Sequence, residues 1–120
     1  MSVVKANTYL AASGSTTEEP SIPALDQRMA KAWVVYNGAT NTIEAAYNTS
    51  SVVDGGTGDY NWYFTESFAD VNYAAVGSAG EGNTTSNITF RTQATNNVRV
   101  LNIGASAYDD PHNSLIAFSS

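Results

Sequence analysis

The chain has 120 residues, a formal net charge of −6 and no cysteine, which is one domain's length and excludes disulfides and thiolate metal sites. Only five residues are Lys or Arg. They are scattered singly (Lys5, Arg28, Lys31, Arg91, Arg99), so the concentrated basic face that a phosphate backbone requires is missing, and nucleic acid is not an expected partner. Charged residues make up 13% against about 25% in an ordinary soluble domain; Asn, Thr, Ser, Gly and Ala take their place.

Residues 1–5 read Met-Ser-Val-Val-Lys, without an apolar h-region, and no apolar run approaches the ~20 residues of a membrane helix. Neither a secretory signal nor membrane insertion is expected. Residues 3–10 predict a short strand, residues 11–19 are small and polar, and Pro20 and Pro23 disfavour helix between them. Residues 24–32 have room for one or two helical turns. Residues 1–30 therefore read as an extended N-terminal arm. Twenty extended residues reach roughly 65 Å at ~3.3 Å per residue, enough to cross onto a neighbouring copy.

From residue 31 onward the pattern is period two, broken by turn residues. Ala32, Val34 and Tyr36 share one face of a strand over residues 31–37, with Trp33 and Val35 on the other, and Asn37-Gly38 is a turn signal. Residues 43–47 and 51–53 are short strands. Residues 54–59, rich in glycine, form a tight connection. Tyr60, Trp62 and Phe64 then alternate with Asn61, Tyr63 and Thr65 in the clearest strand of the chain, and the size of those aromatics places them in a core. Further strands are expected at 71–76, 88–93, 98–103 and 114–118, with long loops at 77–87 and 104–113. Seven or eight short strands at this spacing predict an all-β, antiparallel sandwich or jelly-roll over residues 31–120.

The run from Ile22 to Val34, followed by Tyr36-Asn37-Gly38, resembles the start of a small β-domain found at the ends of phage tail fibres. So do Tyr47 to Asp54 with Gly56 to Tyr60, and Phe64-Thr65 with Phe68 to Tyr73. The resemblance spans residues 22–77 and weakens beyond. It departs from the family at Val35, where a polar residue is commoner, and at Trp62, where a smaller one is. It implies a virion structural module, usually trimeric and acting in host recognition, attached by the arm to capsid, neck or tail proteins. It also implies a virion location and a host-surface glycan as the ligand.

Catalytic chemistry finds little to stand on. His112 is the only histidine, and no Gly-x-Ser-x-Gly elbow accompanies it. Zinc hydrolysis lacks its ligands. Glu44, Glu66, Asp70 and Glu81 could pair across a sugar cleft, but the chain is short for a polysaccharide groove. Asp54 to Asp59 lacks the ligand spacing of a calcium loop and reads as a turn. No cofactor is expected, and the chain is read as a non-enzyme. The sequons at Asn48, Asn83 and Asn87 read as coincidence in an Asn- and Thr-rich chain.

The expected ligand contacts are Tyr108, Asp109, Asp110 and His112 in one loop and Asn83 and Thr84 in the other. Both sheet faces carry apolar residues, whereas a lone sandwich should have polar outer faces. Trp33, Val35, Tyr63, Leu101 and Ile103 are accordingly expected at inter-subunit contacts, and the fibre-domain resemblance implies that the assembly is a homotrimer. A capsid cement protein without receptor binding is the competing reading, and a polysaccharide-active enzyme a more distant one.

Overall fold

The computed structural model describes residues 10, 13–14, 28–80, 87–103 and 109–119. The expected arm falls mostly outside the described residues, as do Asn83, Thr84 and Tyr108. The described chain forms β1 (Ala32–Asn37), β2 (Thr42–Tyr47), β3 (Thr49–Gly56), β4 (Asp59–Phe64), β5 (Ala74–Ala79), β6 (Asn87–Arg91), β7 (Asn97–Ile103) and β8 (Asn113–Phe118). Two four-stranded antiparallel sheets result: sheet A in the order β2-β1-β8-β5 and sheet B in the order β3-β4-β7-β6.

Alternation builds the core. Ala32, Val34 and Tyr36 on β1 and Leu115 and Ala117 on β8 face Val52, Tyr60, Trp62, Phe64, Val98 and Val100 of sheet B, and all are buried. The two inner faces thus interdigitate as sandwich sheets do. At one end Tyr36 meets Tyr60 edge-to-face across the sheets, ring centroids 5.2 Å apart. At the other, Phe64 is ringed by Trp62, Phe68 and Tyr73 at 4.9, 4.6 and 5.7 Å. Trp62, fully buried, also donates its indole N–H to Thr49 Oγ1 at 2.9 Å, so its single polar group is satisfied inside the core.

The fifth strand lies three residues later than the pattern over 71–76 predicts. Phe68 and Tyr73 are core residues of a loop that closes one end of the sandwich. Tyr73 donates its hydroxyl to Ala94 O at 2.8 Å, and Gln93 Nε2 donates to Tyr73 O at 3.0 Å. These bonds hold the loop against the β6–β7 turn, and pairing with β8 begins only at Ala74. Gly77, expected in a loop, lies inside β5. A Cβ there would sit 2.7 Å from Leu115 Cδ2 and 2.9 Å from Ser114 O, so only glycine lets the strand approach its neighbour this closely.

The chain changes sheets between β2 and β3 at one residue. Asn48 adopts φ 49°, in the left-handed region that costs an ordinary L-residue about 1–2 kcal/mol. Its side chain offsets that cost. Nδ2 donates to Lys31 O at 3.0 Å and Glu66 O at 3.2 Å, and Oδ1 accepts from Glu66 N at 2.7 Å. Asn48→Ala should lower the free energy of unfolding by about 2–3 kcal/mol, combining left-handed strain with lost hydrogen bonds. Asn41→Ala, at φ 55° in the exposed β1–β2 turn, should cost only the strain, about 1 kcal/mol. Urea midpoints of the two variants check this; equal losses would remove the hydrogen-bonded corner from the account.

Candidate functional site

Register determines what each sheet shows to solvent. On the outside of sheet B the cross-strand rows are Val53–Asn61–Arg99–Arg91 and Gly56–Asp59–Leu101–Thr89. This face is polar and charged. Arg99 grips Asp59 through Nε to Oδ1 at 3.0 Å and Nη2 to Oδ2 at 2.7 Å. The guanidinium hydrogen bond holds the Asp59 carboxyl below the usual carboxylate range.

The outside of sheet A is of another kind. One row crosses all four strands as Tyr47–Trp33–Ile116–Val76, and the next reads Ala45–Val35–Ser114–Ser78. Neither row contains a charged side chain. Val76, Tyr47 and Trp33 are 59%, 40% and 37% exposed. Between the bulky row and the two serines lies an open groove of about 640 Å³, lined by Trp33, Val35, Val76, Ser78, Ser114 and Ile116. Contiguous exposed apolar surface of this kind marks a contact site more often than a bystander.

The five residues expected at subunit contacts are thereby divided. Trp33 and Val35 share the outer face of sheet A, while Tyr63, Leu101 and Ile103 lie on the opposite side of the sandwich. Leu101 is 9% exposed, and its cross-strand neighbours are Asp59 and Thr89. Tyr63 is half-buried between Ser51 and Asn97, and Ile103 is exposed at the end of β7. Among the described residues the outer apolar residues of sheet A form a connected stripe, while Val53 and Ile103 on sheet B are exposed apart from one another.

The expected ligand loop turns two of its residues inward. Asp110 is fully buried, and its Oδ2 accepts from Asn102 Nδ2 at 2.8 Å. Its carbonyl accepts from Gly38 N at 2.9 Å and Asn113 Nδ2 at 2.7 Å. Half-buried Asp109 accepts from Gly58 N at 2.7 Å and from the Tyr60 hydroxyl at 2.6 Å. Together these bonds tie the β1–β2 turn, the β3–β4 turn and the ends of β7 and β8 into one brace. Gly38 is part of it: a Cβ there would lie 2.5 Å from Tyr60 Oη and 2.7 Å from Asp110 O. His112 is exposed beside the brace.

Asn102 and Asn113, both fully buried, carry the brace and were not singled out from sequence. The available signal was parity, since Asn102 occupies an inward position in line with Val98 and Val100. The two buried polar atoms without a hydrogen-bond partner among the described residues, Tyr36 Oη and Asn102 Oδ1, belong to residues at this same end. Asp54 and Asp59 do not converge: Asp54 Oδ1 accepts from Gly56 N at 2.9 Å in the turn, and Asp59 faces Arg99. Among the described residues no group of three His, Cys, Asp or Glu side chains gathers in metal-binding geometry. Among the same residues no helix is long and apolar enough to cross a membrane.

Comparisons with protein-family models, with curated proteins and with solved structures return no match for this chain.

The brace and the core carry buried phenols. Burial first, then the Asp109 charge, push Tyr36 above the ordinary phenol range; burial, then the hydrogen bond to Asp109, do the same to Tyr60. Burial pushes Tyr73 up to about 12. A phenol whose folded pKa exceeds its unfolded value of about 10 contributes stability that is whole below that pH and drains as pH rises through the folded value. Denaturation midpoints should therefore hold flat to about pH 10 and fall steeply toward pH 12. Tyr60→Phe should lose about 1–2 kcal/mol at pH 7 by removing one of the two hydrogen bonds that Asp109 accepts, yet decline less steeply above pH 10. Asp110→Ala should cost about 2–3 kcal/mol at pH 7, because the buried Asn102 amide loses the closer of its two acceptors and keeps only Asn113 Oδ1 at 3.1 Å.

Proposed function

We propose that this protein is a non-enzymatic virion subunit of the fibre or particle-associated kind that its sequence resembles, and that its copies meet through the outer face of sheet A. The observation that carries the self-association is the uncharged row Tyr47–Trp33–Ile116–Val76. A chain of net charge −6 repels its own copies over most of its surface. A face without carboxylates is where they can approach, and burial of a large indole and two branched aliphatics favours the contact. The count of three comes from the fibre-domain resemblance, and so does attachment to capsid, neck or tail proteins through residues 1–30.

Recognition of a host-surface glycan is the second part of the proposal and belongs to the loops. Asp109 and Asp110 are engaged in holding their loop, so of the proposed ligand residues within the described chain His112 is the one free to meet a sugar. The buried brace supports this reading because it anchors Asp109 and Asp110, next to His112, on the sandwich, and binding residues are commonly held on such a scaffold. The cement-protein reading predicts that substitution of His112 leaves adsorption unchanged.

Light scattering tests the assembly. The mass should be a whole number of threefold sets of the 12.7 kDa chain. Trp33→Asp with Val35→Asp should abolish the threefold mass while leaving the fold intact, since Trp33 is exposed and Val35 half-buried on the outer face. A stable monomer in dilute solution would count against the reading.

A further inference from the structure

The four edge strands of the sandwich are not protected alike. A sheet edge presents unpaired backbone N–H and C=O groups and is ordinarily blunted by charge, proline or a bulge. β2 carries Glu44 and a register shift, β3 carries Asp54 and register shifts, and β6 ends in Arg91. β5 reads Ala-Ala-Val-Gly-Ser-Ala, with neither charge nor proline, and pairs with β8 from Ala74–Phe118 to Ala79–Asn113 without a shift. Among the described residues no strand pairs with its other side; Ala74, Gly77 and Ser78 are exposed, and Val76 is the most exposed large apolar residue described, at 59%.

We propose that β5 is a strand-pairing edge and that its occupant is β5 of a second copy, running antiparallel about a twofold axis at Val76. Residues directly opposite in an antiparallel pair share a face. Val76 then stands beside the partner's Val76, and Ala75 opposite the partner's Gly77. The outer row Tyr47–Trp33–Ile116–Val76 continues into the same row of the partner, so the apolar stripe doubles in length with no side chain displaced to the wrong face.

Charge selects a second copy as the occupant. The chain's net charge of −6 disfavours approach elsewhere, while β5 and the two rows beside it bear no charge. A sister strand brings the same neutral surface to the contact. Pairing of identical edges is isologous and closes on itself, so it ends at two copies without open-ended growth. The inference rests on the self-association proposed above and adds a second, twofold contact to it, which joins two trimers and makes the native mass an even multiple of the chain's.

The protein has no cysteine, so Val76→Cys introduces a unique thiol. Opposed Cα atoms in an antiparallel pair lie about 4.5–5.5 Å apart, inside the ~4.4–6.8 Å span of a disulfide. Mild oxidation of Val76→Cys should give covalent dimer at a yield that does not fall on dilution. Ser78→Cys is the control, because the pairing sets Ser78 opposite the partner's Ala74, out of reach of its own copy. Val76→Lys should halve the native mass while leaving near-ultraviolet circular dichroism unchanged. A trimeric mass, with Val76→Cys uncrosslinked, would overturn the β5 pairing and leave the virion-subunit reading standing. A monomer at every concentration would sink both.

Discussion

Everything in this molecule depends on two inner faces pressed together around Trp62. That side chain has no exposed surface, and truncating such a residue typically costs about 3–5 kcal/mol. A chain of this length without disulfides has one core to live on, and the alternation of β1, β4, β7 and β8 supplies it. Because side chains alternate strictly along a strand, whatever is committed inward leaves its neighbours committed outward. Burial of Tyr60, Trp62 and Phe64 therefore determines where Asn61 and Tyr63 must stand, and through the register what stands beside them.

The consequence is an asymmetric sandwich. The outside of sheet B collects Asp59, Arg91 and Arg99, and satisfies charge with charge. The outside of sheet A collects an indole, a phenol and branched aliphatics, and among the described residues nothing charged stands in their rows. In a chain with so few charged residues the placement of each one matters. Sheet B holds two of the five cations, and the rows across sheet A hold none. The same economy operates at the braced end, where Asp110, Asn102 and Asn113 replace a charged surface loop by a buried polar network. Such networks are costly when incomplete and rigidifying when closed, and this one joins two turns and two strand ends.

Single side chains do the joining elsewhere as well. Asn48 both bends the chain between sheets and ties the corner to residues 31 and 66. A tripeptide that matches a glycosylation sequon is thus a structural corner. Gly38 and Gly77 mark the opposite device, places where backbone and side chain approach so closely that a methyl group has no room.

Period-two alternation made the all-β class, seven of the eight strands and the aromatic core legible from residues alone, because which side of a strand a residue takes is a local property. The chain's polarity and its missing cysteines were equally plain. Partnership was not legible. Strand 71–76 slid to Ala74–Ala79 because Tyr73 found acceptors some twenty positions away. Asp109 and Asp110 read as loop acids until Gly38, Gly58, Tyr60 and Asn102 converged on them. Trp33 and Leu101 read as equivalent outward residues until the pairing of β1 with β8, and of β4 with β7, set them on opposite sides of the sandwich. Alternation needs only neighbours in the chain; which strand lies next to which is decided by burial among residues far apart in it, and no local pattern records that choice.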